Sequence, residues 1–337
     1  MYKFYKILFL NTLMIGTLIA ISSYSWFSMW MGLEINLLSI IPLLSSPKNV
    51  YPSESALKYF ITQAMASSVL LFSIIMSMNL NEFLPQNSNY WMMMIMNSAL
   101  LTKMGAAPFH VWFPEVMEGL NWVNSLIMLT WQKIAPMILL MYNTKMTTFL
   151  TFVIIASSMI SGIQGLNQIS LRKILAYSSI NHIGWMIASM LNSQSIWLVY
   201  FLVYTTITLN IVIIFKQLNV FYLKQLFNSM NNSKMTKMFF IMNFLSLGGL
   251  PPFLGFFPKW LTINNLAINN FYFLSLILIV FTLVTLYFYL RITFSTMVIN
   301  ANETLTHKTP KNSFLVMIFN LFSLMGLVMC TLIFSMS

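Results

Sequence analysis

The chain has 337 residues, of which 58% are hydrophobic and 7% charged, with a mean hydropathy of +0.79 and a formal net charge of +11. So much apolar surface cannot be hidden inside a water-soluble domain, which leaves lipid as the solvent. A single cysteine, Cys330, argues against an internal disulfide and a four-thiolate iron-sulfur cluster.

A membrane-crossing helix needs about 20 mostly apolar residues. Polar and proline-marked breaks divide the sequence into about eleven such segments: 5–24, 26–45, 55–78, 90–113, 122–142, 147–165, 174–191, 195–218, 237–260, 270–293 and 313–335. The expected fold is therefore an all-α polytopic membrane protein, a single transmembrane domain over 1–337. The opening MYKFYKILFLNTLM runs into the first segment without a small-residue cleavage site or an Arg-rich presequence, so no targeting peptide is expected. The Met-rich WMMMIM at 91–96 reads as packing or lipid-facing filler, not a metal site.

The basic residues sort by membrane side. Lys3, Lys6, Lys48, Lys58, Arg172, Lys173, Lys216, Lys224, Lys234, Lys237, Arg291, Lys308 and Lys311 fall on the side of the N-terminus, and Lys145 on the other. The net charge thus reports topology, not nucleic-acid binding, and places the N-terminus inside and the C-terminus outside. Lys58, Lys216 and Arg291 lie near segment ends, where they are expected to snorkel. The loops at about 219–236 and 294–312 are expected to be solvated or partner-contacting, and the sequons at Asn231 and Asn302 lie on the basic side, which argues against glycosylation. No Walker loop, dinucleotide fingerprint or Ser/His/Asp constellation is present.

One motif occurs twice. GAAPFHVWFPE at 105–115 and GLPPFLGFFPK at 249–259 both read Gly-x-x-Pro-Phe-x-x-x-Phe-Pro-charge, in a chain with 11 glycines and 11 prolines. The fourth and ninth segments are thus expected to break at Gly105 and Pro108 and at Gly249, Pro251 and Pro252. An offset of five segments turns the second copy upside down, the arrangement of inverted repeats whose broken helices line ion sites at mid-membrane.

Once the charges of loops and segment ends are set apart, six charged or imidazole side chains remain at membrane depth: Glu34, Lys103, His110, Lys133, His182 and Lys259. A charge at the centre of a spanning helix costs about 2.5–3.5 kcal/mol on insertion scales, so such residues face a protein-lined or wet interior and mark ion pathways. Burial disfavours an ammonium and a nearby carboxylate favours it, which makes a buried lysine a switchable proton carrier. Glu34, in a sequence without Asp, is the expected counter-charge for one lysine. Lys133 lies just before Pro136 as a central relay. His182, among Ser178, Ser179 and Asn181, fits a proton relay or a hydrogen-bonded structural imidazole, and His110 is either a relay or loop-facing. The two histidines could ligate one haem at most. Lys103, Lys133 and Lys259, with His182, are expected to form a polar line at mid-membrane. Glu115 and Glu118 are expected to be solvated.

The stretches LLTKMGAAPFHVWFPEV, LTWQKIAP, LAYSSINHIGWM and GGLPPFLGFFPKW together resemble the antiporter-like subunits of NADH:ubiquinone oxidoreductase, respiratory complex I. The resemblance implies a proton-translocating subunit of the membrane arm, built from two inverted five-helix repeats at about 26–165 and 174–293, followed by a C-terminal helix at 313–335. It implies that Glu34 is the acidic partner, Lys103 and Lys259 the lysines of the broken helices, and Lys133 the central relay. It further implies no cofactor in this chain, FMN and iron-sulfur clusters in partner subunits, and contacts with other membrane-arm subunits and with lipids, cardiolipin among them. The implied place is the mitochondrial inner membrane, with the N-terminus in the matrix and the C-terminus in the intermembrane space. The competing expectation is a free-standing cation/proton antiporter, which would want hard oxygen ligands that a chain without Asp supplies poorly.

Overall fold

The computed structural model describes residues 4–46, 49–83, 87–230, 234–298, 320 and 326, with the side chains of 79–89 and 234 left aside. All named elements among them are helices: α1 (Phe4–Ser22), α2 (Trp26–Leu44), α3 (Val50–Phe83), α4 (Asn87–Met104), α5 (Trp112–Gly119), α6 (Trp122–Leu129), α7 (Trp131–Tyr142), α8 (Thr147–Gly165), α9 (Leu171–Met190), α10 (Gln194–Leu218), α11 (Leu223–Met230), α12 (Lys234–Gly248), α13 (Phe256–Ile268) and α14 (Tyr272–Val298). Those long and apolar enough to cross a membrane are Phe4–Ser22, Trp26–Leu44, Val50–Met78, Trp122–Tyr142, Thr147–Gly165, Gln194–Leu218 and Tyr272–Val298, with Met235–Gly248 a shorter apolar helix. The segment expected at 313–335, Cys330, and both sequon asparagines lie outside the described residues, apart from Asn320 and Gly326.

The chain forms two compact units, Met1–Ser157 and Ser158–Ser337. In the first, α1 and α2 cross at small residues: a Cβ on Gly32 would come 2.5 Å from the Ala20 nitrogen, and one on Gly16 would come 2.9 Å from the Asn36 nitrogen. Membrane helices gain packing where backbones approach this closely. Here it fixes the helix that carries Glu34 and Asn36.

In the second unit α9 is enclosed by its neighbours, with every residue from Ser178 to Met190 buried. The segment read as a span made polar by Ser178, Ser179 and Asn181 holds these residues against protein, the Asn181 Nδ2 donating to the Thr285 Oγ1 at 3.4 Å. The connection at 219–236, expected to be solvated or partner-contacting, contains α11, whose Leu226 and Met230 are buried. Its entry is held by the Gln225 Oε1, which accepts from the backbone nitrogens of Phe221 and Tyr222 at 2.9 and 3.3 Å.

Candidate functional site

Both repeated motifs interrupt a helix. The first break separates α4 from α5 and the second separates α12 from α13. Gly105 and Gly249 each sit at φ 76°, a left-handed conformation that other residues adopt only with strain. Pro108 and Pro252 supply no N–H to continue a helical ladder, and the Ala107–Pro108 and Pro251–Pro252 bonds are both cis. Four backbone hydrogen bonds recur at equivalent places: Gly105 N to Thr102 O, Ala106 N to Leu101 O, Phe109 N to Ala106 O and Phe113 N to His110 O in the first break. Gly249 N to Ser246 O, Leu250 N to Leu245 O, Phe253 N to Leu250 O and Phe257 N to Leu254 O match them in the second. The segments read as 90–113 and 237–260, expected to break at these motifs, extend further than those bounds. They resume on the far side, to Gly119 and Ile268.

A further discontinuity, not foreseen, divides the fifth segment at Thr130, between α6 and α7. The Thr130 Oγ1 donates back to the Leu126 carbonyl at 2.7 Å, a bond that bends helices. Pro136 then removes a donor one turn further on. Lys133 consequently lies in the first turn of α7, next to this defect.

Within the first unit, Lys103 is 7% exposed and Lys133 is 1% exposed. The Lys133 Nζ lies 5.7 Å from the centroid of the Phe113 ring. Phe113 in turn packs on the first break, since a Cβ on Gly105 would meet its Cβ at 3.1 Å. Glu34, read as a counter-charge for one lysine, lies on α2. Its burial differs from expectation: it is only partly buried, although its Oε1 is enclosed without a hydrogen-bond partner. Polarity in the sequence could not foretell which face of α2 the rest of the unit covers. His110 is buried at 5% exposure inside the first break.

Polar residues that the sequence reading passed over complete this region. The Gln132 Nε2 donates to the Asn36 Oδ1 at 2.8 Å, and the Tyr59 hydroxyl donates to the Gln132 Oε1 at 3.4 Å. The Gln63 Nε2 donates to the Lys103 carbonyl at 3.4 Å. Asn36, Tyr59, Gln63, Gln132 and Lys103 share a cavity of about 10 Å³, the room that about one water molecule needs. Amides at membrane depth within apolar runs were the available signal. At the cytoplasm- or matrix-facing end predicted from charge, Lys58 does more than snorkel: its Nζ pairs with Glu54 at 3.2 Å and with Glu115 at 3.3 Å. Glu115 is accordingly exposed but engaged.

In the second unit Lys259 is 7% exposed, and its Nζ donates to the Gly248 carbonyl at 2.9 Å and the Leu247 carbonyl at 3.2 Å, at the C-terminal end of α12. The same nitrogen stands 5.8 Å from the centroid of the Trp185 ring. One turn earlier on α9, the His182 Nδ1 is 2.9 Å from the Tyr200 hydroxyl, and its ring lies 5.0 Å from that of Tyr204. His182, Tyr200, Tyr204, Ser246 and Leu247 line another cavity of about 10 Å³. Glu34, Lys103, His110 and Lys133 therefore belong to one unit, and His182 and Lys259 to the other.

Comparison with known proteins follows the same residues. A family profile described as NADH:quinone oxidoreductase/Mrp antiporter, TM, matches residues 23–285. NADH-ubiquinone oxidoreductase chain 2 of Anopheles gambiae is 50% identical over 333 residues, covering 97% of each chain. The Aedes aegypti chain of the same name is 50% identical over 332 residues, again with 97% of each covered. Among solved structures, one chain of respiratory complex I from Thermus thermophilus with bound aureothin superposes with a TM-score of 0.87 at 23% identity, covering 97% of this chain and 78% of that one. The profile match and the identity along nearly the whole length agree, and the chain belongs to the NADH-ubiquinone oxidoreductase chain 2 family of the antiporter-like membrane proteins.

Proposed function

We propose that this chain is a proton-translocating, antiporter-like core subunit of the membrane arm of respiratory complex I, coupling NADH:ubiquinone oxidoreduction to proton transfer across the inner mitochondrial membrane. The observation that carries the reading is the burial of three lysines at helix discontinuities: Lys103 at the end of α4, Lys133 beside Thr130, and Lys259 on the carbonyls that end α12. A lysine so enclosed gains or loses its proton according to nearby charge and water, which is what a proton carrier requires. Glu34 biases Lys103, Lys133 is the central relay, and His182 and His110 are auxiliary proton-exchanging groups.

The chain has about eleven spans in two inverted five-helix repeats, at about 26–165 and 174–293. The recurrence of four backbone hydrogen bonds at the two breaks supports that arrangement. Its N-terminus lies in the matrix and its C-terminus in the intermembrane space, supported by the sidedness of the lysines and arginines. The flavin and iron-sulfur clusters reside in partner subunits, and the neighbours of this chain are other membrane-arm subunits and lipids, including cardiolipin. Native electrophoresis of mildly solubilised membranes tests the assembly: the chain should migrate with flavin- and iron-sulfur-containing subunits. Migration as a free chain with cation/proton exchange activity would support an independent antiporter instead. A tag after Met230 should be reached by proteases from the matrix side only.

A further inference from the structure

The two breaks differ in one chemical respect. At the first, the Trp112 Nε1 donates to the Thr102 carbonyl at 3.0 Å and the Gln63 Nε2 donates to the Lys103 carbonyl at 3.4 Å, so uncharged donors cover the helix end. At the second, the carbonyl of Leu247, in the motif register of Lys103, receives the Lys259 ammonium together with that of Gly248. Lys259 stands in turn where the first motif has Glu115, which pairs outward with Lys58.

Two carbonyls at a helix C-terminus, here accepting from the Lys259 ammonium, form a negative pole, and unwound backbone of this kind coordinates small cations in membrane proteins. The surroundings are built for such an occupant. A Cβ on Gly249 would lie 2.7 Å from the Lys259 Cδ and 2.9 Å from its Nζ, so the absence of a side chain there lets the ammonium reach both oxygens. The Trp185 ring stands over the same ammonium and offers its negative face. The oxygens are neutral carbonyls, a donor set that suits an ion of ammonium or potassium type and not a divalent ion, which takes carboxylates.

We propose that the Leu247 and Gly248 carbonyls form a monovalent-cation seat whose built-in occupant is the Lys259 ammonium. This inference rests on the reading of the second break as part of an ion path. Tethering gives the lysine a high effective concentration at the seat, so the unaltered protein is insensitive to potassium. With the side chain shortened, an external ion of similar size takes its place.

The test uses the assembled complex carrying Lys259→Ala or Lys259→Ser, solubilised in detergent so that ammonium cannot act through a pH gradient. The NADH:quinone reductase rate should fall in choline buffer and recover saturably with potassium or ammonium chloride. Lys259→Gln keeps an N–H donor and should show no cation response. Electron microscopy of the Ala variant in thallium should show density between the two carbonyls, which is judged independently of turnover. Absence of that density, or a potassium response in the Gln variant, would overturn the seat. A normal rate in choline buffer, with normal pumping by the same Lys259→Ala complex reconstituted in sealed vesicles and with thallium bound, would leave the seat standing and count against the ion-path reading instead.

Discussion

Lys133 and Phe113 face one another in the first unit, the ammonium nitrogen 5.7 Å from the centroid of the ring, while the Phe113 Cβ stands beside Gly105, 3.1 Å from where a Cβ there would lie. A helix break and a buried cation are thereby joined through one aromatic side chain. Phe113→Leu keeps an apolar filling but removes the ring face, an interaction of about 0.5–2 kcal/mol when desolvated. The expected outcome is a complex that assembles and turns over more slowly, measured as NADH:quinone reductase rate per assembled complex. A rate equal to that of the unaltered complex would separate Phe113 from Lys133 function.

Gly249 and its neighbour Gly248 should respond differently to alanine. At Gly249 the φ of 76° and the contact with Lys259 combine, and the left-handed conformation alone costs roughly 1–2 kcal/mol for a residue with a Cβ. At Gly248 a Cβ meets the Leu286 Cγ at 3.5 Å and the Tyr289 Cδ2 at 3.7 Å, which is ordinary contact. Gly249→Ala should lower both assembly and turnover, and Gly248→Ala should change neither by much, as read from native gels and in-gel activity.

The bond from Gln132 to Asn36 predicts a cost for an apolar replacement. Gln132→Leu leaves the buried Asn36 Oδ1 without that donor, a penalty of about 1–3 kcal/mol for an unsatisfied buried group. It also removes one polar wall of the cavity beside Lys103. Slower proton transfer with preserved assembly is expected. Gln132→Glu, which retains acceptors for Tyr59, should keep more of the rate than the Leu variant does.

Much of this site was legible in the sequence because its causes are local. Gly105, Pro108, Gly249 and Pro252 state their backbone chemistry residue by residue, and Lys103, Lys133 and Lys259 stand out against apolar runs. The remainder depends on packing between distant segments. Asn36 and Gln132 are 96 residues apart, and Tyr59 and Gln132 are 73 apart, so no window along the chain shows them together. The partial exposure of Glu34 likewise follows from how α2 packs, and the discontinuity at Thr130 from a hydroxyl bond that neither composition nor period reveals. In α11 a polar-looking connection likewise holds two apolar anchors, Leu226 and Met230, that composition did not single out.

Glu34→Gln tests the counter-charge. A neutral amide keeps the shape of the side chain but carries no charge to offset a buried ammonium. Reductase and pumping rates should fall together, with assembly intact on native gels. Unchanged rates would assign Glu34 to packing or to a neighbouring subunit.

The central claim is that buried lysines of this chain carry protons, and Lys133, the most enclosed of the three, is the place to test it. Lys133→Met retains most of the side-chain volume and removes the titrating group. The measurement is the number of protons translocated per NADH oxidised, together with the rate, by the assembled variant complex in sealed vesicles. The account predicts assembly at normal levels with a lowered rate or a lowered proton ratio; a complex that pumps at the unaltered ratio and the unaltered rate would contradict it.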